Sequence, residues 1–179
     1  MDAPTEEIKW AKQVACTACN NPSLPKMYTR EAFNQLMVGF KLHDYWSFFS
    51  QSIDDGSIDI ITSSSLTGDG EINQISHFFD YFFVAGWSQA TPVSRVYLLD
   101  DETLITQAVL SFNCDEINSI LVTSNGWFFY GGQFYTPDNV GFILKADLFA
   151  REIPFIKTTV EAETTADDSA SFTVTDWTV

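Results

Sequence analysis

The sequence predicts an α+β fold, in which N-terminal helices pack on a C-terminal antiparallel β-meander and an extended C-terminal arm follows. Three observations lead to this class. Apolar residues before Pro92 recur at helical spacing, and those after Pro92 fall in short runs between turn residues. From Thr158 onward the composition becomes acidic and rich in threonine.

One domain is expected for a chain of 179 residues. We place a single α+β domain at residues 1–157, with a helical half at 1–91 and a β half at 92–157. Residues 158–179 form the predicted acidic, Thr-rich arm. The end of this arm, from Phe172, alternates as a strand does and could add to an open sheet edge.

Three segments of the first half predict amphipathic helices. The first follows a cap at Thr5, the second runs from about Arg30 to Val38, and the third begins at Glu71. The segment 42–53 is ambiguous and favours a helix. The apolar stripes that support the second and third helices are Phe33, Leu36, Met37 and Phe40, and Ile72, Ile75, Phe79 and Phe82.

The second half predicts strands joined by short turns. Residues 93–99 and 103–112 form one candidate hairpin, and residues 117–124 lead into Asn125-Gly126. Asn-Gly is the strongest short hairpin signal because both central residues of a type I′ turn need positive φ. A further strand is expected over 140–149.

Folding about Asn125-Gly126 pairs Val122 with Phe129 and Leu121 with Tyr130. Successive side chains of a strand point to opposite faces, so this register places large apolar groups on both faces of the hairpin. A hairpin with one face in water should alternate cleanly. We therefore expect the rest of the domain to cover one face and a partner subunit to cover the other.

The net charge of −15 is unevenly distributed. Residues 1–41 carry five Lys or Arg against four acids, whereas residues 42–94 carry seven acids and no Lys or Arg. This balance argues against nucleic acid as a partner, because phosphate binding requires clustered cations. The acidic region is consistent with a solubilising surface and also with binding to a basic partner.

No apolar run approaches the roughly 20 residues of a membrane span, and no basic segment followed by an apolar stretch marks a secretory signal. We expect neither a membrane partner nor secretion by a signal peptide. Three cysteines without such a signal suggest reduced thiols.

Metal sites are not predicted. Cys16 and Cys19 form a CxxC near the end of a predicted helix, but a structural zinc site needs four ligands, and the only further Cys or His residues are widely scattered: Cys114, His43 and His77. Asp69 resembles the middle of a calcium loop, but the anionic ligands at its first and third positions are absent. Asp54 and Asp55 supply carboxylates without a spacing that fixes a cage.

Catalytic residues and cofactors are not predicted either, and we expect the protein not to be an enzyme. His43, with Asp44 beside it, and His77 are the only candidate imidazole bases, and no nucleophile motif accompanies them. Paired carboxylates could support acid–base chemistry, but such pairing in space is invisible in the sequence.

These observations favour a structural subunit of a larger assembly. A virus or phage particle (capsid, cement, neck or tail), assembled in the host cytoplasm, is the leading expectation, with copies of itself or other subunits as partners. Two alternatives are a small acidic inhibitor, such as an anti-defence or immunity protein that blocks a basic groove, and a carbohydrate-binding module. The predicted interaction residues are Trp127, Tyr130, Tyr135, Phe172, Trp177 and Val179.

Overall fold

A computed structural model describes residues 10–16, 23–42, 45–64, 69–88, 93–126, 128–134, 140–146, 158–161, 165–167 and 172–176. In these ranges the protein is built almost entirely of antiparallel strands, and no helix reaches seven residues. The predicted α+β class is therefore wrong. No N-terminal helices pack on a sheet within the described ranges.

Fifteen strands and one 3₁₀ turn occur in the described residues. The N-terminal strands are β1 (Lys12–Cys16), β2 (Lys26–Arg30), β3 (Gln35–Leu42), β4 (Tyr45–Ser52) and β5 (Ile58–Ser64), with the 3₁₀ turn at Glu31–Phe33. The central strands are β6 (Asp69–Phe78), β7 (Tyr81–Ser88), β8 (Ser94–Asp100), β9 (Thr106–Phe112), β10 (Glu116–Val122), β11 (Phe128–Phe134) and β12 (Val140–Ala146). The C-terminal strands are β13 (Thr158–Glu161), β14 (Thr165–Asp167) and β15 (Phe172–Asp176).

These strands form three stacked sheets and a two-stranded ribbon. The front sheet has the order β14-β5-β4-β3-β2, the middle sheet β13-β9-β8-β7-β6, and the back sheet β10-β11-β12. The ribbon pairs β1 with β15. Most neighbours in each sheet are consecutive in the chain, because short turns join them as a meander.

The middle sheet is buried on both faces. Phe82, Val84 and Tyr97 pack with residues of the front sheet. The alternate residues Phe83 and Val96 pack with residues of the back sheet. Two separate apolar cores therefore lie on opposite sides of one sheet, as the period-2 alternation of strand side chains requires.

Trp46 anchors the front sheet to the middle sheet. Its ring is fully buried, its centroid lies 4.7 Å from that of Tyr97, and its indole N–H donates to the Gly70 carbonyl at 2.9 Å. Gly86 leaves the necessary room, because a Cβ atom there would come within 2.5 Å of the indole. A buried tryptophan N–H thus finds an acceptor across the interface.

The second predicted helix is instead a hairpin. Residues 30–38 begin at the end of β2, pass through the 3₁₀ turn and enter β3. Met37 packs toward the middle sheet, whereas Val38 and Phe40 belong to a third cluster on the other face of the front sheet. A strand buried on both faces has apolar residues at consecutive positions. Such a run also places apolar residues at i, i+3 and i+4, the spacing that predicts a helix, although the segment is a strand.

The third predicted helix fails for the same reason. Residues 71–83 are the end of β6, the Phe79-Asp80 turn and the start of β7. Ile72 and Ile75 pack toward the front sheet, and consecutive residues Phe82 and Phe83 point into the two different cores.

The other expectations have mixed outcomes. The segment 42–53 contains β4 rather than a helix, and the described part of the first predicted helix is β1. The remainder of that helix lies outside the described residues. The predicted hairpin of 93–99 with 103–112 is confirmed, since β8 pairs with β9.

The Asn125-Gly126 hairpin forms, but its register differs by one residue from the prediction. Leu121 pairs with Phe129 and Val122 with Phe128. Gly126 has a φ of 82° and its N–H donates to Thr123 at 2.9 Å, whereas Asn125 does not have positive φ. Five residues separate the paired Val122 and Phe128, and Gly126 is in the left-handed region, so this is a longer loop rather than a two-residue type I′ turn.

Side-chain amides join the middle sheet to the back sheet. The Gln74 amide on β6 donates to the Ile120 carbonyl at 2.9 Å and accepts from the Ile120 N–H at 3.0 Å. Asn73 donates to the Ile117 carbonyl at 2.8 Å and to Glu116 Oε1 at 2.9 Å. Gln74 therefore takes the place of a neighbouring strand along the edge of β10, satisfying buried backbone groups there.

The predicted C-terminal arm contributes strands to the chain's own sheets. β13 pairs with β9 at the edge of the middle sheet, and β14 pairs with β5 at the edge of the front sheet. β15 completes the ribbon with β1. The expected strand character from Phe172 is present, but its partner is an N-terminal strand of the same chain.

We predict that Phe128→Ala lowers the free energy of unfolding by about 3–5 kcal/mol, because its ring is buried in the back core. The matched change Phe129→Ala should cost about 1 kcal/mol or less, since that ring is half-buried on the opposite face. Urea denaturation of both variants measures the difference. A loss for Phe129→Ala as large as that for Phe128→Ala, or larger, would contradict the observed register, because a one-residue slip exchanges the two faces of the hairpin.

We predict that Gln74→Leu costs about 1–3 kcal/mol, because it leaves the N–H of buried Ile120 without an acceptor and its C=O with the Ser76 hydroxyl alone, at 3.3 Å. Gln107→Leu, the same change at an exposed position of β9, is the control and should be close to neutral. Thermal unfolding followed by circular dichroism compares the two. A neutral Gln74→Leu would show that the amide does not hold the two sheets together.

Candidate interaction surface

Among the described residues, no strand covers one face of the back sheet. Ile120, Phe128 and Tyr130 point into the core against the middle sheet. The alternate residues point away from it: Leu121 is 62% exposed and Ile143 is 85% exposed. We call this surface the outer face and define it by Leu121, Phe129 and Ile143.

The pairing of the strands brings these three side chains together. Leu121 lies directly opposite Phe129, and Ile143 lies opposite Gly131, the next outward position after Phe129 on β11. Opposite residues on one face have Cβ atoms about 4.5–5.5 Å apart, and diagonal neighbours are within reach of large side chains. Gly131 and Ser119 have small side chains, so no large side chain stands next to Ile143 in that row of the sheet. The outer face is a compact apolar patch on a sheet.

The structure describes two of the six predicted interaction residues. Tyr130 is buried, with its ring centroid 5.0 Å from that of Phe112, so it is not available to stack on a sugar. Phe172 lies on β15, where it pairs with Cys16. The remaining four fall outside the described residues: Trp127, Tyr135, Trp177 and Val179.

A second feature lies where the tight turns meet. The N–H of Asp101 donates to Asp80 at 3.0 Å, joining the β8–β9 and β6–β7 turns. The N–H of Ile53 donates to the Asn34 backbone carbonyl at 3.1 Å, joining the β4–β5 and β2–β3 turns. We call this end of the molecule, formed by the turns at residues 31–34, 53–57, 79–80 and 101–105, the turn end.

A buried polar network holds the turn end together. Arg30 Nη2 lies 2.8 Å from Asp101 Oδ2, and His77 Nε2 lies 2.9 Å from the same oxygen. Arg30 also donates to Gln35 Oε1 at 2.8 Å, and the Gln35 amide donates to the Asp101 carbonyl at 3.2 Å. Both charged side chains are largely buried, so the ion pair links the front sheet to the middle sheet.

The network includes an Asp–His contact of the kind that orients a catalytic base. Here the carboxylate oxygen is shared with a guanidinium, and no hydroxyl group among the described hydrogen bonds reaches His77. The imidazole packs against the rings of Tyr28 and Phe82, with centroids 5.9 Å and 5.0 Å away. We interpret this arrangement as a structural junction. The other candidate base, His43, lies outside the described residues, as does Asp44.

Carboxylates at the turn end are held in their charged form. Hydrogen bonds, chiefly from the Ser57 N–H, lower the pKa of Asp55 to about 2. Burial raises the pKa of Asp100, but hydrogen bonds from Thr103 and Glu102 outweigh it, and the net pKa is below the usual value. Both groups therefore carry a full negative charge at neutral pH.

The described residues bring no three metal-ligating side chains together. Burial raises the pKa of the Cys114 thiol to about 12, so this cysteine is a weak nucleophile at neutral pH. The side chains of Cys16 and Asp69 and the whole of Cys19 fall outside the described residues. The expectation that these residues bind no metal therefore stays a prediction.

Sequence reasoning predicted an apolar hairpin face for a partner but placed Leu121 and Phe129 on opposite faces, and it missed Ile143 and the turn end. Ile143 could have been found, because 140–146 alternates and Gly141 and Lys145 mark its outward series. The Arg30–Asp101 pair could not, since 71 positions of chain separate its partners and no local pattern signals it. No helix in the described part of the chain has the length and apolar content that a membrane crossing requires.

Comparison with known proteins identifies no relative. No protein-family model, no curated protein and no solved structure matches this chain.

We predict that Asp101→Asn lowers the free energy of unfolding by about 3 kcal/mol, because it leaves the buried Arg30 charge without its carboxylate. Asp59→Asn, an exposed carboxylate on β5, is the matched control and should change stability by less than about 0.5 kcal/mol. Urea titrations give both values. A loss under about 1 kcal/mol for Asp101→Asn would show that the network does not join the sheets.

Proposed function

We propose that the protein is a non-enzymatic structural subunit of a larger assembly. The observation that carries the proposal is the outer face, where Leu121 and Ile143 stand exposed beside Phe129. Contiguous exposed apolar groups on a sheet mark a surface that another protein covers. Large apolar side chains near the centre of such a patch supply most of the binding energy when they are buried.

Charge favours copies of the same chain as partners on this surface. Residues 117–137 contain no Asp, Glu, Lys or Arg, although the whole chain has a net charge of −15. Two copies would repel each other over most orientations. Residues 117–134 of the hairpin carry no charge and Lys145 opposite Phe129 is a cation, so two copies can approach at this surface without opposed carboxylates.

The C-terminal strands offer a further contact between subunits. β13, β14 and β15 each pair with a strand that is distant in the chain. The same pairings would form if the C-terminal region came from a neighbouring copy, which is how identical subunits exchange elements.

A virus or phage particle is the assembly we propose, with the protein in its capsid, cement, neck or tail and assembled in the host cytoplasm. This choice rests on analogy: the chain combines abundant aromatic residues with a Thr-rich C-terminal region that pairs as separate strands.

We predict that the wild-type protein self-associates and that Leu121→Asp weakens the association by about tenfold or more, because it places a charge in an apolar contact. Met27→Asp is the matched control, since Met27 is also 62% exposed but lies on β2 of the front sheet. Size-exclusion chromatography with light scattering across a concentration series measures both.

A wild-type protein that stays monomeric at all concentrations would contradict the proposal. An equal effect of Leu121→Asp and Met27→Asp would also contradict it, by showing that net charge rather than the outer face controls association. Circular dichroism confirms that both variants are folded.

A further inference from the structure

The turn end displays large apolar side chains on three separate turns. Phe33 is 68% exposed, Phe79 is 72% exposed and Ile105 is 49% exposed. Short contacts connect these turns. The Arg30 guanidinium lies 3.9 Å from the Phe33 ring centroid and is paired with Asp101, whose N–H is bonded to Asp80, next to Phe79.

Phe79 is the most informative of the three. It occupies the first central position of the two-residue turn between Phe78 and Tyr81, with a φ of 52°. Glycine is favoured at such a position, and a bulky residue there is strained. The ring touches Phe78, with centroids 4.2 Å apart, but is otherwise in solvent. Neither backbone preference nor core packing accounts for an aromatic residue at this tip.

The surroundings of these side chains are strongly acidic. In the described residues the turn end carries seven carboxylates against two cations, Arg30 and Lys12, and Arg30 is already paired with Asp101. Lys12 approaches Gly56 of the β4–β5 turn. The carboxylates belong to Glu31, Asp54, Asp55, Asp80, Asp100, Asp101 and Glu102.

The network beneath keeps this surface in place. Arg30, Gln35 and Asp101 tie the turns of two sheets to each other through hydrogen bonds of 2.8–3.2 Å. Binding to a surface that is already ordered loses less conformational entropy than binding to mobile loops.

We propose that the turn end is a docking site for a cationic protein partner, whose surface presents apolar side chains ringed by Lys or Arg. Phe33, Phe79 and Ile105 supply apolar contact, and the carboxylates around them supply charge complementarity and faster encounter. A second copy of this chain would bring the same carboxylates and be repelled. The site is separate from the outer face and does not depend on the proposed assembly role.

A designed peptide of alternating Lys and Leu serves as the probe, with a Lys–Ser peptide of equal charge as its apolar-free control. Fluorescence anisotropy should show saturable one-to-one binding of the Lys–Leu peptide, weaker binding of the Lys–Ser peptide, and a marked loss at about 0.5 M salt, where charges are screened within a few ångströms.

Two substitutions in the protein itself test the site. Phe79→Gly suits the backbone of the turn, so it should fold normally and still raise the Kd by about fivefold or more. Asp80→Asn should raise it comparably. Glu71→Gln removes one exposed charge about 23 Å from Phe78 along β6, at about 3.3 Å per residue, and should change the Kd by less than about twofold.

Absence of saturable binding would overturn the proposal. So would a Glu71→Gln effect equal to that of Asp80→Asn, which would indicate general attraction to an acidic chain. A loss in Leu121→Asp as large as in Phe79→Gly would place the site on the outer face instead. Because that substitution tests self-association separately, the two proposals fail independently.

Discussion

Burial of the middle sheet on both faces is the constraint on which the rest of the structure depends. β7 and β8 must supply large apolar side chains at consecutive positions, as Phe82 and Phe83 do, because successive residues enter different cores. One core requires a front sheet with Trp46 at its centre, and the other requires a back sheet with Phe128 and Tyr130. The order of three meanders in the chain then gives the order of the layers.

This stacking also explains the polar features at the edges. The back sheet lies across the edge strand β6, where Asn73 and Gln74 replace a missing backbone ladder. At the turn end a buried ion pair joins the front and middle sheets beside the packed rings of Tyr28 and Phe82. Buried charges require partners, so Arg30, Asp101 and Gln35 form a connected set that fixes the relative position of two sheets.

The sequence predicted the β half well and the first half wrongly. The β8–β9 hairpin was visible because turn residues flank two apolar runs, and the Asn125-Gly126 hairpin was visible because glycine marks a positive φ. The helices were inferred from spacing in segments whose strands are buried on both sides, where alternation disappears. The outer face follows partly from alternation in β12. The turn end depends on contacts between distant turns, which no local pattern encodes.

Two surfaces of opposite character result from one architecture. The outer face is apolar and uncharged along β10 and β11, whereas the turn end combines exposed aromatic rings with carboxylates. The stacked arrangement itself is tested most directly by amide hydrogen exchange. We predict that amides of β7 and β8 exchange most slowly, only through global unfolding, with β3 and β11 exchanging sooner. Exchange of β7 and β8 as fast as that of β11 would contradict a middle sheet buried on both faces.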